Sequence, residues 1–219
     1  MTFALQRTTD EFEIIVVDDD SPDGTWQVAE ELAKGNPHLR VIRRQGEKGL
    51  ATAVVAGWKA AEGEILGVMD GDLQHPPEAL PDLIDSILTS HADIVVASRH
   101  VYGGGVSQWS LIRRFISWTA ASIATLMLPG ILQAVRDPMS GYFLIKRSVI
   151  ESVNLRPEGY KILLEVLARG NYRTVVEVPY IFEERKEGGS KLGPKQYSEF
   201  FTHLAHLAVE TGQMGRFLR

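Results

Sequence analysis

The sequence contains no cysteine and no excess of basic residues. The absence of cysteine excludes disulfide bonds and thiolate metal sites, and it is typical of proteins from reducing compartments. The 23 Lys and Arg residues are outnumbered by 28 Asp and Glu residues, which gives a net charge of −5. Because nucleic-acid-binding proteins normally present a broad basic surface, we expect no nucleic-acid partner.

The chain also lacks the basic-then-apolar layout of a signal peptide, because it starts with MTFALQRTTDEFE. We therefore expect the protein to act on the cytoplasmic side. Internal repeats, low-complexity stretches and linkers rich in Pro and Gly are missing from the 219 residues, of which 44% are hydrophobic. This length and composition predict a single domain over residues 1–219 with a well-buried core.

One uncharged and mostly apolar run, residues 115–132, reaches the lower limit of length for a membrane span. A Pro-Gly pair interrupts it, and Ser, Thr and Ala dilute it, which argues against spanning. Arg113 and Arg114 precede the run, and basic residues beside a Trp-bearing apolar helix suit the membrane interface. Two interpretations therefore stand for residues 106–132: a membrane-interface helix, or a buried helix of the core.

Apolar runs that end in polar residues alternate with segments of helical spacing. The predicted strands are 13–18, 39–44, 64–70, 93–98, 141–147 and 173–182. The predicted helices are 25–34, a small-residue helix that ends at residue 61, 75–90, 160–169 and a last helix to about residue 219. This alternation predicts an α/β fold with a mostly parallel, Rossmann-like sheet flanked by helices. In such sheets, ligands bind beyond the carboxyl ends of the strands.

Two carboxylates one residue apart follow the third predicted strand, in MDGDLQHPP (69–77). Such oxygen ligands, together with substrate phosphates, are what Mg²⁺ and Mn²⁺ prefer. We therefore predict a metal site at Asp70 and Asp72, to which Gln74 can add a carbonyl oxygen. Two other interpretations remain: the acids cap the next helix, or Asp70 is a phosphatase-like nucleophile. The six histidines show no ligand spacing that indicates a metal site, so we interpret them as structural.

Two further segments are candidates for a nucleotide site. In VVDDDSPDGT (16–25), a carboxylate at the strand end, Asp18 or Asp19, can accept hydrogen bonds from ribose hydroxyls or a base edge. The SPDGT portion is mainly a turn and a helix start. In GEKGLATA (46–53), Lys48 and the backbone amides of a helix N-terminus can meet a diphosphate.

These motifs occur in the order expected of one family. They resemble the family-2, A-type (GT-A) glycosyltransferases, in the branch of dolichol-phosphate mannose synthases and polyprenyl-phosphate glycosyltransferases: VVDDDSPDGT, EKGLATAVVAGWKAAEGE, MDGDLQHPP, SRHVYGGG and DPMSGYF. The resemblance covers residues 13–193. It implies a GT-A fold and inverting transfer of a hexose to a polyprenyl or dolichyl phosphate at a membrane surface, with Mg²⁺ or Mn²⁺. The implied donor is a nucleotide-sugar, GDP-mannose first and UDP-glucose as the alternative.

The resemblance also assigns residues. Asp70, Asp72 and Gln74 would bind the metal and the donor diphosphate, and Asp19 would face the nucleoside. The acceptor side is assigned to Arg99, Arg113, Asp137, Ser140, Arg185 and Lys191. Of these, Arg99 would meet the acceptor phosphate or the sugar, Arg113 the lipid phosphate, and Arg185 and Lys191 would belong to a phosphate-gripping loop. Asp137 and Ser140 would line the acceptor site.

The chemistry fits this assignment, because a phosphate monoester is already negatively charged at pH 7, with a second pKa of ~6. It can attack the anomeric carbon without a general base. The enzyme then needs a cation for the departing diphosphate and arginines for the acceptor. Arg99 and Arg185 have an alternative interpretation as surface ion-pair partners.

The sequence departs from the family at the N-terminus. Family members usually begin with a further strand and helix, whereas only twelve residues precede EIIVVD here. That strand normally lies at the centre of the sheet and forms part of the nucleoside pocket. We expect the sheet to lack it, with residues 1–6 as the only segment left to replace it as a short strand. A membrane-protein partner, or the apolar helix over 109–132, would bring the domain to its lipid.

Two other functions are compatible with the motifs. A GT-A transferase with a soluble acceptor would share the metal site but would need a catalytic base, for which Asp137 is available. A non-catalytic scaffold or binding subunit would account for the missing first strand. Activity towards soluble acceptors and towards polyprenyl phosphate distinguishes these alternatives.

Overall fold

A computed structural model of the protein describes residues 1–6, 8, 11–107, 111–132, 135–184 and 194–212. Its strands are β1 (Ile14–Asp18), β2 (Leu39–Arg43), β3 (Ile65–Val68), β4 (Ile94–Ser98), β5 (Gly105–Val106), β6 (Phe143–Lys146), β7 (Val175–Pro179) and β8 (Ile181–Phe182). Its helices are α1 (Thr2–Gln6), α2 (Thr25–Lys34), α3 (Leu50–Ala60), α4 (Leu80–Thr89), α5 (Leu111–Met127), α6 (Pro129–Leu132), α7 (Ile162–Arg169) and α8 (Pro194–Glu210).

The strands described here form three sheets. The largest has four strands in the order β3-β6-β4-β7. Strand β6 is antiparallel to both of its neighbours, whereas β4 and β7 are parallel. Two parallel pairs, β1 with β2 and β5 with β8, complete the set. This mixed, largely parallel arrangement with helices on both faces confirms the predicted α/β class.

Strands β1 and β3 belong to separate sheets in the described part of the chain, so the sheet is interrupted between them. The apolar side chains of β1, Ile14 to Val17, are only half-buried as a result. The carboxylate of Glu13 spans the break, because it accepts hydrogen bonds from the backbone N–H groups of Glu62 (2.5 Å) and Gly63 (3.1 Å).

The prediction that residues 1–6 form a short strand is wrong, because Thr2–Gln6 forms helix α1. This helix packs against α4, and its Leu5 joins the apolar cluster that α4 contributes to the core. The hydroxyl of Thr2 also accepts a hydrogen bond from the side-chain amide of Asn36 (3.1 Å). Ala, Leu and Gln are strong helix formers, so local preference and tertiary contact favour the same structure.

The core lies on both faces of the four-stranded sheet, because successive side chains of a strand point to opposite faces. In β4, Ile94 and Val96 belong to the larger apolar cluster, and Val95 and Ala97 belong to the smaller one. The larger cluster contains residues of α3, α5, α7 and α8, and the smaller one contains α4. The four-stranded sheet is therefore the middle layer of three, and its strand ends are rigidly placed.

The apolar run at 115–132 forms α5 and α6. Ala124 and Leu128 are fully buried in the larger cluster, whereas Leu126 is exposed. The core interpretation is therefore correct for this part of the run. Among the residues that the structure describes, no helix has the length and apolar character needed to cross a bilayer. The membrane-interface interpretation of 106–132 stays a prediction.

A buried carboxylate connects α7 to α8. Glu165 is fully buried, accepts a hydrogen bond from the backbone N–H of Arg156 (2.6 Å) and forms an ion pair with the Arg169 side chain. Its second oxygen lies 3.1 Å from Nε2 of His203, on α8. Because a buried carboxylate is costly without partners, these contacts tie the position of α8 to that of α7.

We predict that Glu165→Ala lowers the free energy of unfolding by about 3 kcal/mol, because it leaves the buried His203 without its carboxylate partner and takes from Arg169 one of its two carboxylate partners. Urea unfolding followed by circular dichroism measures the change. Glu158→Ala is the matched control, since Glu158 contacts His206 of α8 (2.9 Å) with both side chains exposed. We expect at most about 0.5 kcal/mol there. Equal losses in the two variants would contradict the structural role of Glu165.

Candidate active site

The site is organised by the turn that leads into β6, residues 137–141, hereafter the 137–141 turn. Gly141 lies against the acidic motif, since a Cβ atom added to it would be 2.8 Å from Oδ2 of Asp70. The same atom would be 3.3 Å from Nε2 of His75. Only glycine therefore allows the turn to approach the carboxylate this closely.

The two predicted metal ligands follow β3 in a tight bend. Leu73, directly after Asp72, has a positive φ of 63°, which is a strained conformation for a non-glycine residue. The bend leaves Asp70 and Asp72 partly exposed, and Oδ1 of Asp72 accepts a hydrogen bond from the N–H of Gln74 (3.2 Å). Gln74 is buried, and its side-chain amide donates to the carbonyl of Glu183 (3.0 Å). The structure thus fixes Gln74 to the chain beyond β8.

His75 is a site residue that the sequence analysis missed. It is buried among the rings of Tyr142, Tyr180 and Phe182, with ring centroids 5.1 to 5.7 Å apart. Its Nδ1 lies 3.2 Å from the Tyr180 hydroxyl, and its Nε2 lies 3.5 Å from Oδ2 of Asp70. A Tyr180 hydroxyl that donates to Nδ1 places the ring proton on Nε2, facing Asp70. This contact makes His75 a candidate for orienting Asp70. The only sequence signal was its position within MDGDLQHPP.

Arg99 and Asp137, both predicted site residues, form a buried ion pair. The guanidinium donates to both carboxylate oxygens (2.7 Å each), and the backbone N–H of Arg99 donates to Oδ2 (2.9 Å). Burial by itself would raise the pKa of Asp137, but the hydrogen bonds and charge of Arg99 hold this pKa below its usual range. The alternative interpretation of Arg99 as a surface ion-pair partner does not fit this burial. Asp137 is therefore a stably ionised anchor for the guanidinium.

Further hydrogen bonds hold the 137–141 turn itself. The hydroxyl of Ser140, a predicted acceptor-site residue, donates to the carbonyl of Ala97 in β4 (2.7 Å). The backbone N–H groups of Arg136 and Asp137 donate to the carboxylate of Glu177 in β7 (2.9 Å each). Both partners lie on the four-stranded sheet. The position of the turn, and with it that of Arg99, is thereby set by the sheet.

The predicted nucleoside-facing acids lie on the other side of the break, on β1. Oδ1 of Asp18 accepts a hydrogen bond from the N–H of Ser21 (2.8 Å). Asp19 accepts from Nε of the buried Arg44 and from the N–H of Gly49, at the start of α3 (2.7 Å each). Lys48 is exposed. An open polar cavity of about 450 Å³ lies beside these acids and is lined by Asp20, Ser21, Pro22, Asp23, Gly24, Trp26, Gln27 and Arg43.

The structure brings some predicted residues together. Gly141 lies against Asp70, and Asp137 of the same turn bonds Arg99, so the 137–141 turn joins the acidic motif to the Arg99–Asp137 pair. Arg113 lies in the first turn of α5, and the predicted residues Arg185 and Lys191 lie outside the described residues. The described ranges contain no group of three or more His, Cys, Asp or Glu side chains that is arranged to hold a metal ion.

We predict that His75→Phe, which keeps an aromatic ring and removes Nε2, lowers Mn²⁺ affinity about tenfold because Asp70 loses the group that orients it. Isothermal titration calorimetry with Mn²⁺, with and without a nucleoside diphosphate, measures the change. His206→Phe is the control, because His206 is an exposed residue of α8. Unchanged Mn²⁺ affinity in a normally folded His75→Phe variant would contradict the positioning role.

Comparison with known proteins places this arrangement in a family. The sequence matches Glycosyl transferase family 2 over residues 2–153. It is 46% identical to the dolichol-phosphate mannosyltransferase of Pyrococcus furiosus over 208 residues, which cover 95% of this chain and 58% of the relative. The enzyme of the same name from Saccharomyces cerevisiae is 39% identical, with 90% of this chain and 74% of the relative covered. The chain thus spans little more than half of the archaeal relative's length.

Solved structures share the fold. Glucosyl-3-phosphoglycerate synthase from Mycobacterium tuberculosis, in complex with Mn²⁺, UDP-glucose and phosphoglyceric acid, superimposes with a TM-score of 0.67 at 19% identity, over 95% of this chain and 72% of that one. The same enzyme with Mg²⁺ and UDP gives a TM-score of 0.64 at 19% identity, over 90% of this chain and 67% of that one. The sheet, the motifs and the extent of the sequence match lead to one conclusion: the chain belongs to glycosyl transferase family 2.

Proposed function

We propose that the protein transfers a hexose, with inversion, from a nucleotide-sugar to a dolichyl or other polyprenyl phosphate. Mannose from GDP-mannose is the first candidate, and glucose from UDP-glucose is the second. The observation that carries the proposal is the 137–141 turn, which contacts Asp70 of the acidic pair through Gly141 and holds the guanidinium of Arg99 through Asp137. The names of the relatives, dolichol-phosphate mannosyltransferases, support the same reaction.

The acidic pair fits a divalent cation. Mg²⁺ and Mn²⁺ are commonly held by one or two carboxylates together with substrate phosphates, so Asp70 and Asp72 supply the protein's share. Gln74 lies next to them, although its amide nitrogen is bound to Glu183. When bound, the cation would neutralise charge on the departing nucleoside diphosphate. The Mn²⁺ and Mg²⁺ complexes of the M. tuberculosis enzyme support this assignment.

The acceptor phosphate would lie at Arg99. An oxygen of the phosphate attacks the anomeric carbon and forms the new C–O bond, while the bond from that carbon to the donor diphosphate breaks. The electron pair of the broken bond leaves with the nucleoside diphosphate, and the anomeric configuration inverts. Asp137 keeps the Arg99 fork oriented towards the phosphate. Ser140 contributes by holding the 137–141 turn on β4.

The soluble-acceptor alternative requires a general base, and Asp137 was the candidate for it. A general base works best with a pKa near the operating pH. The pKa of Asp137 is instead held below its usual range by Arg99, which also uses both of its oxygens. This favours an acceptor that brings its own negative charge, as a lipid phosphate does.

The donor side would be formed by Asp18, Asp19 and Lys48, next to the open cavity at Asp20 and Arg43. Asp19 fixes the start of α3 through Gly49, so part of its role is to shape this region. The alternative is a non-catalytic binding subunit, which would bind a partner without turning over the donor. Measured turnover decides between the two.

The lipid acceptor would place the protein at a membrane surface, on the cytoplasmic side. Exposed apolar side chains support this location: Tyr102, Ile181 and Leu126. Tyr102 follows Arg99 by three residues in the loop after β4, and Ile181 pairs with Gly105 at the end of that loop. Arg113, at the start of α5, would meet the lipid phosphate, and Arg185 and Lys191 would close over it. A membrane-protein partner can assist this docking.

We predict that Asp72→Ala reduces sugar transfer roughly a hundredfold or more, because the departing diphosphate loses its cation. The assay is transfer of labelled mannose or glucose from GDP-mannose or UDP-glucose to a short polyprenyl phosphate in detergent, with Mn²⁺ or with EDTA. Asp85→Ala, at an exposed position of α4, is the control and keeps full activity. Transfer that persists in EDTA, or in Asp72→Ala, would contradict the metal-dependent mechanism. Transfer to soluble acceptors only would support the alternative function.

A further inference from the structure

Lys161, which immediately precedes α7, is a charged residue that neither the sequence motifs nor the proposed mechanism uses. Its side chain is partly buried, and its Nζ donates a hydrogen bond to the carbonyl oxygen of Met139 (2.8 Å). Met139 lies in the 137–141 turn, two residues from both Asp137 and Gly141. Lys161 therefore contacts the same turn that anchors Arg99 and lies against Asp70.

The surroundings of Lys161 do not balance its positive charge. Burial and repulsion by Arg99 together lower the pKa of Lys161 to about 8, although the charges of Asp70 and Asp137 act to raise it. Both carboxylate oxygens of Asp137 are already bonded by Arg99. Among the described residues, the neutral Met139 carbonyl is the only hydrogen-bond partner of Nζ. Nζ also lies 5.2 Å from the centroid of the Tyr160 ring. These two neutral partners do not offset the desolvation of an ammonium group, so the site is suited to an added anion.

A purely structural role would not need the charge. Any donor of suitable reach, such as a glutamine amide, can bond the Met139 carbonyl and hold the turn. A lysine at this position adds a positive charge and two further donor hydrogens beside Arg99. Both are useful only if an anionic group enters the site.

We propose that Lys161 binds the phosphate of the lipid acceptor together with Arg99. This inference rests on the proposed function. A cation held by Asp70 and Asp72 would compensate the donor diphosphate, whereas the acceptor phosphate carries up to two negative charges. Arg99 shares its charge with Asp137, so one arginine leaves the acceptor phosphate incompletely neutralised. Lys161 supplies the second positive charge.

Lys161→Gln is the deciding variant, because it can keep the hydrogen bond to Met139 while it removes the charge. We expect the dissociation constant for a short polyprenyl phosphate, measured by isothermal titration calorimetry on the full chain, to rise roughly tenfold to a hundredfold. Lys161→Arg, which keeps the charge, should recover much of this loss. The KM for GDP-mannose and the Mn²⁺ affinity should remain within about twofold.

Lys146→Gln is the matched control, since Lys146 pairs with Asp93 at a distant and partly exposed site. Thermal melting verifies the fold of each variant, and if Lys161→Gln does not fold, Lys161→Met is measured in its place. Unchanged lipid affinity in a folded neutral variant would overturn the proposal, and so would a loss of donor affinity alone. The test of Lys161 measures lipid binding and not sugar transfer. Wild-type protein that binds the lipid but transfers no sugar would therefore contradict the proposed function and leave the role of Lys161 in binding intact.

Discussion

The buried ion pair between Arg99 and Asp137 is the contact on which the rest of the site depends. It joins the end of β4 to the 137–141 turn, across 38 residues of sequence, through three hydrogen bonds. Removing one member of such a pair leaves a buried charge without compensation, at a cost of about 3–5 kcal/mol. The turn therefore has one stable position. In that position Gly141 touches Asp70, and the Met139 carbonyl accepts the hydrogen bond of Lys161.

Because the 137–141 turn is fixed in this position, acidic and basic side chains are kept apart within one site. Acidic groups, Asp70 and Asp72, occupy the end of β3, and the cationic groups Arg99 and Lys161 lie by the neighbouring turn. A reaction between two phosphorylated reactants needs this separation, because both reactants are anions that repel each other. Rigid placement matters as much as charge, since misplaced groups lose most of the advantage of proximity. The ring of aromatic side chains around His75 serves that placement on the acidic side.

The interrupted sheet divides the proposed site into two halves. The acidic motif and the Arg99–Asp137 pair belong to the four-stranded sheet, whereas Asp18 and Asp19 belong to the β1–β2 pair. The described connections across the break include Glu13, helix α1, which packs against α4 and bonds Asn36, and helix α3, which packs against β1 and contributes Trp58 to the core. The approach of α3 to β1 is close, because a Cβ added to Gly57 would lie 3.2 Å from the side chain of Val17. If Asp18 and Asp19 bind the donor, as proposed, donor binding depends on this connection.

The sequence by itself determined the α/β class, most element positions and the family, because apolar periodicity and short contiguous motifs are local signals. It also singled out Asp70, Asp72, Arg99 and Asp137, whose functional roles remain predictions. It wrongly assigned residues 1–6 to a strand, because a tertiary contact with α4 was not visible in so short a segment. Only the tertiary structure showed that Arg99 pairs with Asp137 and that His75 lies beside Asp70. It also showed that the ammonium group of Lys161 donates its hydrogen bond to a neutral carbonyl. These contacts form because packing brings separate strands and turns together. Distances between side chains that are far apart in the sequence cannot be inferred from the order of the residues alone.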